Sequence, residues 1–333
     1  CFKIIYFNDK SNCIISFLER SNYVNVLSSF FTKHKTIITI HMSQINGRPK
    51  LHPYNIISKI LYPKANKVVV VSRGIKNELI NYYGVNENKI KVIYNPIIYE
   101  DILYLKNEDL NEYKNIFENN TLLVNVGRLS KPKGQWYLLR IFNELKKSNT
   151  NLKLAIIGDG ELKDYLIKLS KDLNLKTYVW DSNKLSEDYN VYFLGFQKNP
   201  YKFIAKSKIF IFTSLWEGFG NVLIESMACG VPIISADCIS GPREVLAPNT
   251  DINYQTKKPE YAKYGILLPP FEIKYKSYLD PLDEKEKIWI DFIEKTINNT
   301  EILNNYAKKS IERAIDFDIN NIIEEWKEIL HER

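Results

Sequence analysis

Short β-branched runs alternate along this chain with longer segments of helical period, the pattern of parallel α/β organisation. Within the first hundred residues, Ile14–Phe17, Thr36–Ile40, Lys67–Val71 and Lys91–Tyr94 read as strands. Asn22–Phe31, Pro53–Leu61 and Ile75–Tyr83 carry apolar residues at helical spacing between them. The pattern breaks after Asn95-Pro96, where residues 99–120 turn polar, acidic and rich in Asn, as a connection between domains would be. It resumes with strands at Thr121–Val126, Lys153–Ile157, Val191–Leu194, Lys208–Phe212, Pro232–Ser235 and Gly265–Leu268. Gln135–Lys147, Glu161–Leu173, Asn199–Lys206 and Asn221–Ala228 fill the gaps as helices. Ile315, Ile319, Ile322, Ile323, Trp326, Ile329 and Leu330 then predict one amphipathic C-terminal helix over Ile311–Leu330. No internal repeat of 20–50 residues interrupts the alternation.

The expected fold is therefore α/β, with two Rossmann-like, doubly wound parallel-sheet domains facing a cleft. Residues 1–100 form the first domain, 101–120 the connection, 121–310 the second domain and 311–333 the closing helix. A length of 333 residues suits two domains at about 100–200 residues each. Charge adds an asymmetry. The first hundred residues hold 14 Lys and Arg against 5 Asp and Glu, so the net +7 of the chain resides there and the remainder is slightly acidic. The longest apolar runs, such as Val68–Val71 and Ile209–Phe212, fall far short of the roughly 20 residues that cross a bilayer. The opening Cys1-Phe2-Lys3-Ile4-Ile5 has neither the apolar stretch nor the cleavage site of a signal peptide. Cys1, Cys13, Cys229 and Cys238 lack the spacing of a zinc site or a disulfide framework, which points to thiols in a reducing cytoplasm. The chain starts without Met inside structured sequence, and an incomplete first domain is expected.

Two motifs stand at strand ends. Gly127-Arg128-Leu129-Ser130-Lys131-Pro132-Lys133-Gly134 follows Thr121–Val126 and precedes a helix. Its Arg and Lys, five residues apart, can hold a diphosphate from two sides, one as a planar fork and the other as a point charge. Basic turns of this kind are also common as solvated surface. Glu217-Gly218-Phe219-Gly220-Asn221-Val222-Leu223-Ile224-Glu225 follows Lys208–Phe212. Its glycines admit close backbone approach, and the helix start near Asn221 offers N–H groups and a positive dipole end to an anion. Glu217 precedes the helix and Glu225 lies within it, so the two carboxylates reach different parts of a ligand. Alone, Glu225 is also explained as an acidic residue favoured in an early helical turn.

These residues resemble the retaining glycosyltransferases of family 4, which have the GT-B fold. The resemblance rests on Glu217 to Glu225, Gly127-Arg128-Leu129 with Lys133-Gly134, and Ile156-Ile157-Gly158-Asp159-Gly160-Glu161-Leu162. Phe193-Leu194-Gly195-Phe196, Met227-Ala228-Cys229-Gly230-Val231-Pro232 and Tyr264-Gly265-Ile266-Leu267-Leu268-Pro269-Pro270 extend it over most of residues 121–270. Leu61-Tyr62-Pro63-Lys64-Ala65, Ser72-Arg73-Gly74 and Tyr94-Asn95-Pro96 in the first domain, with Asn199-Pro200-Tyr201-Lys202 and Ser240-Gly241-Pro242-Arg243-Glu244, are similar to the branch that builds lipid-linked oligosaccharides and bacterial surface polysaccharides. That branch includes N-acetylgalactosaminyltransferases acting on undecaprenyl-diphosphate sugars.

The resemblance implies roles position by position. Arg128 and Lys133 hold the donor diphosphate and neutralise its charge as the glycosidic bond breaks, in place of a metal, so no cofactor is expected. Glu217 faces the donor sugar, and the backbone of Gly218, Phe219, Gly220, Asn221 and Val222 surrounds the sugar and distal phosphate. Glu225 meets the ribose, and the turn ending at Phe196 runs along the base edge. His41, closing the strand Thr36–Ile40, presents its ring to the sugar, although a lone His there is also read as a core residue. The family's Gly-rich first loop has no match before Ile14, and residues 250–264 find no role.

The leading expectation is a retaining hexosyltransferase moving a hexose or N-acetylhexosamine from a nucleotide diphosphate sugar, UDP-linked, to a saccharide acceptor linked to undecaprenyl diphosphate. Front-face attack, with the departing phosphate taking the proton, accounts for the lack of an obvious nucleophile. Peripheral contact with the cytoplasmic membrane follows from the acceptor and from the basic first third. A nucleotide-sugar 2-epimerase uses the same architecture but needs more acid–base groups than are seen here. A non-catalytic glycosyltransferase-like subunit is the remaining alternative; nucleic-acid binding is disfavoured because no aromatic-basic RNA motif accompanies the charge.

Overall fold

The computed structural model describes residues 5–6, 13–43, 49 and 51–331. The readings made at Cys1 and over most of the first ten residues lie outside the described residues. The chain divides into two compact units. One comprises the residues up to Asn95 together with Trp216–Phe219 and the residues from Ile322 onward; the other comprises Pro96–Leu215 and Gly220–Asn321.

The first unit holds a five-stranded sheet of Ile5–Tyr6 (β1), Cys13–Phe17 (β2), Lys35–Ile40 (β3), Lys67–Val70 (β4) and Ile90–Val92 (β5), in that spatial order. β1 pairs antiparallel with β2, and the others run parallel. Parallel strands covered on both faces need unbroken apolar runs, which is why β3 and β4 bury almost every residue. The connecting helices start where the sequence supplies caps: the Ser72 hydroxyl accepts from the Ile75 N–H at 3.2 Å, and Pro53 occupies a first-turn position behind His52. Ile15, Ile37, Val69 and Ile93 form a buried cluster with Ile322 and Ile329 of the helix Ile319–His331. Each such burial is worth about 1.5–3 kcal/mol, so the last helix is part of this core.

The second unit holds an eight-stranded sheet of Thr121–Val126 (β6), Leu152–Ile157 (β7), Thr177–Val179 (β8), Val191–Phe193 (β9), Ile209–Phe212 (β10), Ile233–Ala236 (β11), Glu260–Tyr261 (β12) and Ile266–Leu268 (β13). Their order is β12-β13-β11-β10-β6-β7-β9-β8, parallel except for β12 against β13. Lys153 in the buried strand β7 is tolerated because its ammonium donates to the Glu187 and Tyr189 carbonyls, both at 2.6 Å. The strand order reverses at β6, which has β7 on one side and β10 on the other. Such a reversal opens a crevice at the strands' carboxyl ends.

The helix expected over Ile311–Leu330 is two helices, Thr300–Ile315 and Ile319–His331. At the break, the Ile97 N–H donates to the Phe317 carbonyl at 2.9 Å and the Ile97 carbonyl accepts from the Ile319 N–H at 2.8 Å. The Asp318 carboxylate also accepts from the N–H groups of Asn320 and Tyr99, at 3.0 and 3.2 Å. A backbone bridge from a distant residue thus replaces helical hydrogen bonds, and side-chain periodicity does not register it. Residues 99–120 are likewise more than a polar connection. They form the helices Tyr99–Leu105 and Lys114–Glu118, belong to the second unit, and bury Ile102, Leu110, Ile116 and Phe117.

Candidate functional site

In the second unit, β6 and β10 lie side by side, with Phe210 opposite Val124, at the point where the strand order reverses. Both motifs singled out in the sequence leave from the carboxyl ends of these two strands. After β6 the chain turns through Gly127–Ser130 into the short 3-10 turn Lys131–Lys133 and the helix Gln135–Ser148. The turn following β7 packs against it. The Leu129 N–H donates to the Asp159 carbonyl at 3.0 Å, and the Leu162 N–H donates to the Leu129 carbonyl at 2.9 Å. Gly158 makes this approach possible: at φ +144° a Cβ here would stand 2.1 Å from the Gly127 carbonyl oxygen.

Arg128 and Lys133 take different positions in this loop. Arg128 is mostly exposed, and its Nε donates to Glu161 at 3.0 Å. The Lys133 ammonium lies 5.6 Å from the ring centre of Phe212, the last residue of β10. Arg128 also lines a cavity of about 370 Å³ with Gly158, Asp159, Phe196, Gln197 and Pro200. Its size falls at the small end of small-molecule sites. Phe196, on the lining of this cavity, is 76% exposed.

Beyond β10, Gly220 adopts φ +86° and the helix Asn221–Ala228 begins with no side-chain cap. Asn221 is exposed, while Val222 and Glu225 are half-buried. Burial pushes the Glu225 carboxyl above the ordinary range, and the Lys133 cation pulls it back. The two motifs therefore share one electrostatic environment.

Trp216–Phe219 belongs instead to the first unit, where it meets the end of β3. A Cβ on Gly218 would lie 2.0 Å from the His41 carbonyl oxygen, so this contact requires glycine. Phe219 stacks on Tyr94, with ring centres 5.1 Å apart. The His41 Nε2 lies 3.1 Å from the Thr39 hydroxyl, and its ring sits 5.9 Å from that of Phe17. Burial holds the His41 imidazole below its ordinary pKa, and a hydrogen bond with Asn95 partly offsets this. Glu217 is half-buried in the same segment.

The structure thus gathers the candidates into two groups. Arg128, Lys133, Phe196, Gly220, Asn221, Val222 and Glu225 lie in the second unit; His41, Glu217, Gly218 and Phe219 lie in the first. Sequence reasoning missed the partners that hold them. Glu161 was visible only as part of a Gly-Asp-Gly-Glu turn, and Asn95 only as part of Tyr-Asn-Pro. Cys13, Cys229 and Cys238 form no disulfide. Among the described residues, no helix is long and apolar enough to cross a membrane.

Residues 16–100 match the family described as Glycosyltransferase Family 4, and residues 106–261 match the one described as Glycosyl transferases group 1. The chain is 39% identical over 274 residues to the uncharacterized glycosyltransferase MJ1059 of Methanocaldococcus jannaschii, covering 81% of this chain and 64% of that protein. It is 36% identical over 236 residues to N-acetylgalactosamine-N,N'-diacetylbacillosaminyl-diphospho-undecaprenol 4-alpha-N-acetylgalactosaminyltransferase of Campylobacter jejuni, covering 69% of this chain and 58% of that protein. The chain thus spans under two thirds of the length of either relative. Its fold matches the crystal structure of Anabaena Alr3699/HepE in complex with UDP, with TM-score 0.73 and 20% identity over 95% of this chain and 78% of the other.

Proposed function

Because this chain belongs to the family 4 glycosyltransferases, with the GT-B fold, we propose that it transfers a hexosyl or N-acetylhexosaminyl group from a UDP-sugar to a lipid-linked saccharide, with retention of configuration. The observation that carries the reading is the placement of both motifs at the carboxyl ends of β6 and β10, at the reversal of strand order. Helix starts and basic side chains converge there, as binding of a nucleotide diphosphate requires.

In this reading Lys133 and Arg128 neutralise the charge that grows on the leaving diphosphate, and no metal is needed for that step. Arg128 exchanges the Glu161 carboxylate for a phosphate. Glu225 accepts from the ribose hydroxyls, Phe196 covers the base, and the backbone from Gly218 to Val222 follows the sugar and distal phosphate. Glu217 and His41 address the transferred sugar. His41, held below its ordinary pKa, is neutral at pH 7 and accepts or donates a hydrogen bond without adding charge. The acceptor hydroxyl attacks the face from which the diphosphate departs, and a departing phosphate oxygen takes its proton. The Campylobacter relative, whose name specifies an undecaprenol-linked substrate, supports an acceptor of that class. Such an acceptor brings the enzyme to the cytoplasmic membrane surface, where the basic first unit favours anionic headgroups.

The test incubates the chain with UDP- and GDP-sugars and an undecaprenyl-diphosphate saccharide, with and without EDTA. Release of UDP, insensitive to EDTA and giving an axially retained product by NMR, is expected. An inverted anomeric centre excludes the mechanism, and release only from GDP-sugars excludes the donor.

A further inference from the structure

The basic loop is held by two side chains that have no place in the roles above. Thr213, the residue after β10, is fully buried, and its hydroxyl donates to the Lys133 carbonyl at 3.0 Å. Gln135, in the first turn of the helix Gln135–Ser148, is also fully buried, and its Nε2 donates to the Arg128 carbonyl at 3.1 Å. Between them, the Leu215 N–H donates to the Pro132 carbonyl at 2.7 Å. The carbonyls of both cationic residues are thereby drawn onto buried donors. A carbonyl dipole turned toward a diphosphate would oppose the neighbouring cation, so fixing these oxygens inward matters to any anion the loop receives.

Fold stability alone does not account for Gln135. Its Oε1 is buried and without a hydrogen-bond partner among the described residues, an arrangement that costs stability. An apolar side chain would avoid that cost but would leave the Arg128 carbonyl only the longer 3.4 Å contact from the Ser130 hydroxyl. Thr213 likewise joins the loop to the strand whose last ring, Phe212, lies under the Lys133 ammonium. One hydroxyl thus fixes the backbone of the residue whose side chain that strand also orients.

We infer that Thr213 and Gln135 are positioning residues that set the diphosphate-binding geometry of Lys133 and Arg128 through their main-chain carbonyls. The inference rests on the donor reading above. Neither residue is assigned contact with the donor, so their effect should separate phosphate recognition from nucleoside recognition.

The experiment measures binding of UDP and of uridine by calorimetry to the wild-type chain and to Thr213→Val, Thr213→Ser, Gln135→Met and Lys133→Ala. Thr213→Val keeps shape but removes the donor. It should weaken UDP about tenfold, leave uridine unchanged and lower kcat more than it raises KM; Thr213→Ser should recover UDP binding to within about twofold. Gln135→Met makes the same test at Arg128 should Thr213→Val not fold. Equal UDP binding by these variants and wild type overturns the inference, as does parallel weakening of UDP and uridine, which marks a merely structural role. If Lys133→Ala also binds UDP as wild type does, the donor reading itself fails, and this inference with it.

Discussion

The two sheets are built from the same parallel strands and differ in how the chain visits them. From β2 to β5 the first sheet adds each strand beside the last in one direction. The second starts in the middle at β6, grows outward through β7 and then returns to place β10 on the other side. Only the second arrangement separates the loops that leave two adjacent strands, and the basic loop and the glycine-rich helix start occupy that separation. Both sheets are built mainly from buried apolar strands, Ile and Val in the first and Ile, Val, Leu and Phe in the second, so apolar character alone does not mark the site. The order of connection distinguishes them.

If the comparison is right, the two groups of residues should fail in different ways. The largest effect is expected of Lys133→Ala, which should lower turnover by about a hundredfold or more and weaken UDP binding. Glu217→Gln should lower turnover while leaving UDP affinity unchanged. Equal loss of UDP affinity in both variants would erase the distinction.

The next effect tests how the second unit is held together. Arg140 and Glu286 form an ion pair buried at 2% and 0% exposure, with an N–O separation of 2.6 Å. The guanidinium also donates to the carbonyls of Ser277, Asp280 and Pro281. Arg140→Met should cost about 3–5 kcal/mol in denaturant unfolding, because it strands a buried carboxylate. The double variant Arg140→Met with Glu286→Leu should recover part of that loss. A single substitution without measurable cost would mean that the segment 277–286 is held otherwise.

Gly218→Ala probes the corresponding close contact in the first unit. Its new methyl would meet the His41 carbonyl oxygen, and a loss of about 1–3 kcal/mol is expected in thermal or chemical unfolding. His41 supplies a smaller, pH-dependent effect in the same place. Its folded pKa lies below 6.5 because of burial, so on acidification the unfolded chain binds a proton before the folded one does. Stability should therefore fall as the pH drops through and below 6.5, by no more than about 1.4 kcal/mol per pH unit, and His41→Gln should flatten that slope. An unchanged slope would remove His41 as its source. The smallest effect belongs to Glu161→Gln. Its ion pair with Arg128 is largely in solvent and worth under about 1 kcal/mol, so UDP affinity should rise only a few-fold and stability should barely move.

Much of this was legible in the sequence where local signals were strong. Thr121–Val126, Pro53–Leu61 and Asn221–Ala228 were readable residue for residue, because Pro, Gly and sharp changes of polarity bracket them. The spacing of Arg128, Lys133, Glu217 and Glu225 was equally plain. The division of the second motif was not: Phe219 and Gly220 are neighbours in sequence but fall in different compact units. The break at Asp316–Asp318 depends on Ile97, more than two hundred residues away, and a helical wheel carries no trace of it. β8 and β12, at three and two residues, are too short for alternation to show. Thr213 and Gln135 look like ordinary polar residues until their donors are seen to face two carbonyls.

The cluster that joins Ile322 and Ile329 to Ile15, Ile37, Val69 and Ile93 also orders events in time. On a ribosome, the first sheet emerges long before the helix that completes its core. Four apolar positions must wait while more than two hundred residues, including the whole second sheet, are made. The second unit, whose last residue is Asn321, is therefore fully made before the first receives its closing helix, and the first leaves apolar surface uncovered for longer during synthesis.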